Sequence, residues 1–209
     1  MNFLAHAHLS PENNDILFGN FIADSVKGKS YLKYKQDIII GILLHRSIDV
    51  FTDKHPIVKN SKQIVKHVFG RYSGIVIDIY YDHFLARNWS LYHNYELSKF
   101  STSVYKILAK RFILLPVRVK RMLPFLIAQN WLSGYANMND LQRVFFGMDR
   151  RTNYVSGMSN AITVLEDNYE PLWRDFKDFY PELEYYAKER LKEIEKEVTS
   201  SLLFHQSNK

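Results

Sequence analysis

The chain contains no cysteine. Disulfides, zinc–thiolate sites and cysteine nucleophiles are therefore excluded, and the composition fits the cytoplasm. No run reaches about 18 apolar residues, so no membrane-spanning helix is expected. Met1-Asn2-Phe3-Leu4-Ala5-His6 has no basic stretch leading into an apolar core, so no signal peptide is expected. A Gly-rich phosphate loop and a Gly-x-Ser-x-Gly elbow are both missing. So are internal repeats, low-complexity tracts and long linkers. A chain of 209 residues without such breaks is expected to form one helical domain, 1–209. Residues 1–160 would form its core around the polar motifs, and 161–209 would add C-terminal helices packed on it.

Apolar residues make up 46% of the chain, enough for a sizeable core. Its 14 Tyr and 14 Phe recur at core spacing, not in the exposed arrays that stack on nucleic acid bases. The net charge of +6 favours an anionic partner without choosing among nucleic acid, a phosphorylated small molecule and an acidic protein. Ser10-Pro11-Glu12 reads as a helix start, with the helix running to about Val26. Further helices are expected over 35–54, 57–69, 75–89, 91–110, 117–135 and 159–179. Pro124 is expected to kink one of them, and Pro181 to open a last Glu- and Lys-rich helix. The fold class is all-α, a single irregular helical bundle.

Several of these helices carry polar groups in apolar surroundings. His45 and Asp49 are four residues apart and share a helix face, with Cβ atoms about 5–6 Å apart. Burying both is costly unless they pair with each other or bind a cation. Asp82-His83 lies in an otherwise apolar run, with Arg87 one turn later. Asp24 falls near a helix C-terminus, where a carboxylate opposes the helix dipole and calls for a positive partner, either Lys27, Lys29 or a cation. His6 and His8, two apart, point to the same side if their segment is extended. Imidazoles and carboxylates without thiolate suit Mn²⁺, Fe²⁺ or Zn²⁺. Simple buried His–Asp hydrogen bonds are the plainer alternative.

Helix-borne His and Asp ligands converging in a bundle are similar to those of the HD-domain phosphohydrolase core, although the His-Asp dipeptide of that group is absent. A closer likeness lies in four blocks: Met1-Asn2-Phe3-Leu4-Ala5-His6-x-His8-Leu9, Gly19-Asn20-Phe21-Ile22-Ala23-Asp24-x-Val26-Lys27-Gly28, Gly41-Ile42-x-x-His45-Arg46-x-Ile48-Asp49-x-x-Thr52-Asp53, and Asp82-His83-Phe84-Leu85-Ala86-Arg87-Asn88-Trp89. These, with Met148-x-Arg150-Arg151, resemble the acyl carrier protein phosphodiesterase family over residues 1–151. The resemblance implies a divalent-metal enzyme, most often with Mn²⁺ (Mg²⁺ or Fe²⁺ being alternatives). Such an enzyme cleaves 4′-phosphopantetheine from the serine of holo-acyl carrier protein.

On this basis His6, Asp24, His45, Asp82 and His83 are the expected metal ligands. Asp24, His45, Arg46, Asp49 and Arg87 are the expected catalytic groups, the two arginines stabilising phosphoryl charge. His8, Lys27, Lys29, Arg150 and Arg151 are expected to bind the acidic substrate. No nucleic acid or membrane partner is expected. Two other functions are compatible with the residues: an HD-like phosphohydrolase acting on nucleotides, and a non-catalytic helical module binding an acidic protein or RNA.

Overall fold

The protein, seen in a computed structural model, is described here for residues 1–207, and for side chains to residue 200. The described residues are helical, with no strand. In chain order the helices are α1 (Phe3–His8), α2 (Asn14–Ile22), α3 (Gln36–Lys54), α4 (Pro56–Phe69), α5 (Ser73–Arg87) and α6 (Leu97–Lys110). They continue with α7 (Val117–Ala128), α8 (Trp131–Gly134), α9 (Met138–Arg151), α10 (Ala161–Asp167) and α11 (Tyr169–Ser207). No helix among the described residues is long and apolar enough to cross a membrane.

The closest helix pair is α2 on α3. A glycine in a helix interior is destabilising by roughly 0.5–1 kcal/mol relative to alanine, so its presence asks for a packing reason. Gly19 and Gly41 face each other at this crossing. A Cβ at Gly19 would collide with the Ile38 carbonyl, and one at Gly41 with the Ile16 carbonyl. The bare backbones therefore touch. Asn20 follows Gly19 directly and His45 lies one turn beyond Gly41, so this contact brings their side chains together.

Two expectations about the elements change. The segment holding His6 and His8 is a helix, so the extended conformation that would put both on one side does not occur, and α1 starts under two caps. Asn2 Oδ1 accepts from the Phe3 N–H, and the buried Asp82 carboxylate accepts from the N–H groups of Leu4 and Ala5 at 2.8 and 3.2 Å. At about 100° per residue, His6 and His8 then point to nearly opposite sides. The C-terminal helix does not begin at Pro181. The chain breaks at Asn168 and runs unbroken through Pro181 as α11. A proline inside a helix removes one backbone hydrogen bond. Buried Phe176, Phe179, Tyr180 and Leu183 form a continuous apolar stripe across it and hold the helix together. Helix α11 packs along α3, where Phe51 stacks on Tyr186 at 4.2 Å.

Candidate metal centre

His6 on α1 and His45 on α3 stack with ring centroids 3.8 Å apart. Two imidazoles brought face to face inside a protein repel when both are charged, so something must fix their protonation. Asn20 on α2 does so. Its Oδ1 faces Nδ1 of both rings, at 3.0 Å from His6 and 3.2 Å from His45. The amide cannot be turned round, because its Nδ2 donates to the His6 carbonyl and to Ser10 Oγ. Both Nδ1 atoms therefore carry the hydrogen, and both Nε2 atoms point the other way.

Carboxylates meet them there. His6 Nε2 is 3.1 Å from Asp49 Oδ1, and His45 Nε2 is 3.1 Å from Asp49 Oδ2 and 3.2 Å from Asp24 Oδ1. Asp24 sits in the 3₁₀ turn Ala23–Ser25 that follows α2. Burial disfavours charging His45, but the bonds to Asp24 and Asp49 outweigh it and push its pKa up to about 9. Burial, and then the neighbouring His45, lower His6 to about 4. Burial works against an ionised Asp49, yet the two histidines hold its carboxyl well below the usual range. The bond from His45 lowers Asp24.

One conflict remains in this arrangement. A neutral His6 has a single ring hydrogen but faces two acceptors, Asn20 Oδ1 and Asp49 Oδ1. A cation on the Nε2 side removes the conflict for both rings and neutralises the carboxylates. Suitable donor atoms of His6, His45 and Asp49 lie within 4.8 Å of one another, and this group could hold a divalent metal. The residues present thus fit a metal, with Asn20 as the partner that sets both ligand tautomers.

The other expected ligands stand apart. Asp82 and His83 are adjacent on α5, so their side chains diverge by about 100°. The Asp82 carboxylate is fully buried and bonded to α1 backbone. Burial pushes its carboxyl up to about 7, against the opposing pull of those N–H bonds and the Met1 amino group. His83 Nδ1 donates to the Tyr135 carbonyl at 2.8 Å, and its Nε2 is buried without a partner. Burial lowers its pKa. Neither residue joins the His6–His45 group.

The arginines expected to stabilise phosphoryl charge are also engaged elsewhere. Arg46 donates to the carbonyls of Val26 and Gly28, at 2.8 and 2.9 Å, and lies over the Tyr31 ring. It clamps the loop carrying exposed Lys27 and Lys29 beside Asp24. Gly28 takes the left-handed conformation this loop needs, with φ +53°. Arg87 is exposed at the end of α5, near Tyr169 on α11. His8 is tucked between Tyr180 and Tyr92, its Nε2 donating to the Tyr92 carbonyl and its Nδ1 accepting from the Tyr180 hydroxyl. Burial holds it neutral, down to about 4. Arg150 and Arg151 are exposed at the end of α9.

Asn20 is the group that residue-by-residue reading missed. The available signal was a polar residue in the middle of an apolar helix, next to a glycine.

Comparison with known proteins adds an independent line. Residues 1–183 match the family model described as acyl carrier protein phosphodiesterase. A protein of that name from Photorhabdus laumondii is 35% identical over 87% of this chain and 92% of its own length. One from Yersinia pestis is 34% identical over 87% and 94%, and one from Yersinia enterocolitica 32% over 91% and 99%. No solved structure matches.

Proposed function

The chain belongs to the acyl carrier protein phosphodiesterase family, and on that premise we propose that it hydrolyses the diester joining 4′-phosphopantetheine to the serine of holo-acyl carrier protein. The observation that carries the reading to particular residues is the pairing of His6 and His45 on Asn20, with both Nε2 atoms turned toward Asp49 and Asp24. His6, His45 and Asp49 would hold the metal, Mn²⁺ being the first candidate, with Asp24 beside them. A divalent ion there would supply Lewis-acid polarisation of a phosphoryl oxygen and an acidified water.

The chain's own groups then have defined tasks. Asn20 keeps hydrogen on both Nδ1 atoms and so keeps both Nε2 lone pairs available. Asp24, about two-thirds exposed, is the carboxylate placed to accept a proton from the attacking water. Water oxygen bonds to phosphorus, the bond from phosphorus to the serine oxygen breaks, and that oxygen leaves as the serine hydroxyl, taking up a proton equivalent to the one Asp24 accepted from water. The products are apo-carrier protein and 4′-phosphopantetheine. Lys27, Lys29, Arg150 and Arg151, each exposed, would supply the positive charge that meets an acidic carrier protein.

The direct test is release of 4′-phosphopantetheine from holo-carrier protein, before and after chelation and with Mn²⁺ restored. Loss on chelation and recovery with Mn²⁺ is expected. Hydrolysis of nucleotides in place of holo-carrier protein would overturn the substrate assignment, and full activity after chelation would overturn the metal.

A further inference from the structure

A cavity of about 410 Å³ opens beside the metal centre. Its lining includes Asp24, which touches His45, and Met1, whose amino nitrogen pairs with Asp78 at 3.0 Å and lies 3.9 Å from Asp49. The far walls come from α7, α8 and α9. Met122, Trp131, Val144 and Met148 make them largely apolar. Three arginines also line the cavity. Arg143 is paired with Asp140 at 3.1 Å, whereas Arg118 on α7 and Arg151 on α9 have no ion pair among the described residues.

A volume at the lower end of the ligand-pocket range, with Met122, Trp131, Val144 and Met148 on one side and Asn2, Gln129 and the arginines among them, suits a slender chain that carries amides and ends in a charge. The arginines without ion pairs ask for an anion at that chain's end. They also fill a vacancy in the chemistry, because Arg46 is held by two backbone carbonyls and neither Arg46 nor Arg87 lines the cavity. Arg118 and Arg151 are the guanidinium groups bordering the same cavity as Asp24 that no acid holds.

We infer that this cavity receives the phosphopantetheine arm of the carrier protein, with Arg118 and Arg151 taking the charge of its phosphate. The inference rests on the phosphodiesterase reading and goes beyond it in assigning the arm's site and its two cationic partners. The arm's amides and thiol lie against α7–α9, and the carrier protein stays outside, against Lys27, Lys29 and Arg150, while Arg151 turns to the phosphate.

The test uses the full chain and two measurements, calorimetric binding of 4′-phosphopantetheine and KM for holo-carrier protein. Val144 and Met148 are half-buried on the cavity wall, so a tryptophan there extends into the cavity. Val144→Trp and Met148→Trp are expected to weaken 4′-phosphopantetheine binding and to raise KM, each by about tenfold or more. Met148→Leu, which keeps the wall's volume, should restore both. Arg118→Met should weaken 4′-phosphopantetheine about tenfold, the loss of one charge-assisted hydrogen bond, and leave binding of unphosphorylated pantetheine unchanged. Unaltered binding and KM in a folded tryptophan variant and in Arg118→Met would overturn the inference while leaving the phosphodiesterase reading intact. Failure of the wild-type chain to act on holo-carrier protein would overturn that reading, and the arm site with it.

Discussion

Helices α3 and α5 each place a histidine close to a carboxylate in apolar surroundings, and they use the two in opposite ways. On α3 the two are four residues apart, so His45 and Asp49 stand on one face and meet at 3.1 Å. On α5 they are neighbours, so they face different parts of the molecule. Asp82 accepts from two backbone N–H groups of α1, and His83 Nδ1 donates to the Tyr135 carbonyl while its Nε2 is buried without a partner. The α5 pair holds the fold. The α3 pair, with His6 opposite, has more acceptors than hydrogens on its open side. Buried titratable groups become a site where several side chains converge on one open side, and structural where backbone groups hold each of them apart.

Removing one member of each pair separates the two helices most strongly. His45→Ala is expected to lower release of 4′-phosphopantetheine by about 10³-fold, the scale of the several kcal/mol a metal centre contributes. Its thermal stability should change little. Asp82→Ala should do the reverse. It leaves two buried N–H donors unsatisfied and is expected to destabilise the fold by about 3 kcal/mol, read as a lowered denaturant midpoint. Comparable stability losses in the two variants would erase the distinction.

A finer test addresses the residue between the rings. Asn20→Ala removes the common acceptor, so Mn²⁺ affinity measured by calorimetry should fall about 10–100-fold. Two-dimensional ¹⁵N spectra should show mixed tautomers at His6 and His45 in place of one. A single unchanged tautomer would rule out the positioning role.

The smallest effect concerns pH. His83 is held neutral by burial, below its unfolded pKa of about 6.5. Between the two values the unfolded chain binds the extra proton. The group's stabilising contribution is therefore present above about pH 6.5 and is lost as pH falls. His83→Gln should flatten the decline in Tm between pH 7 and pH 5, and an identical slope would refute this account.

Much of the helix pattern is legible from apolar periodicity. The expected helix 57–69 appears as α4, and α3 spans nearly the whole expected segment. Pro181 misleads because a local rule about proline yields to a buried stripe on both sides of it. The helix at His6–His8 is not legible locally because it is only six residues long and is held by a cap, Asp82, that lies 78 residues from Leu4. Local propensity carries no information about such a partner.

At the site, the pairing of His45 with Asp49 follows from spacing alone, since a helix fixes the direction of residues four apart. The composition likewise settled that any ligand set must be imidazole and carboxylate. Which imidazole joins them, which carboxylate turns away, and that one asparagine governs both rings were decided only when α2 closed on α3 through Gly19 and Gly41. Periodicity determines the face a side chain occupies on its own helix. Only packing determines what that face meets.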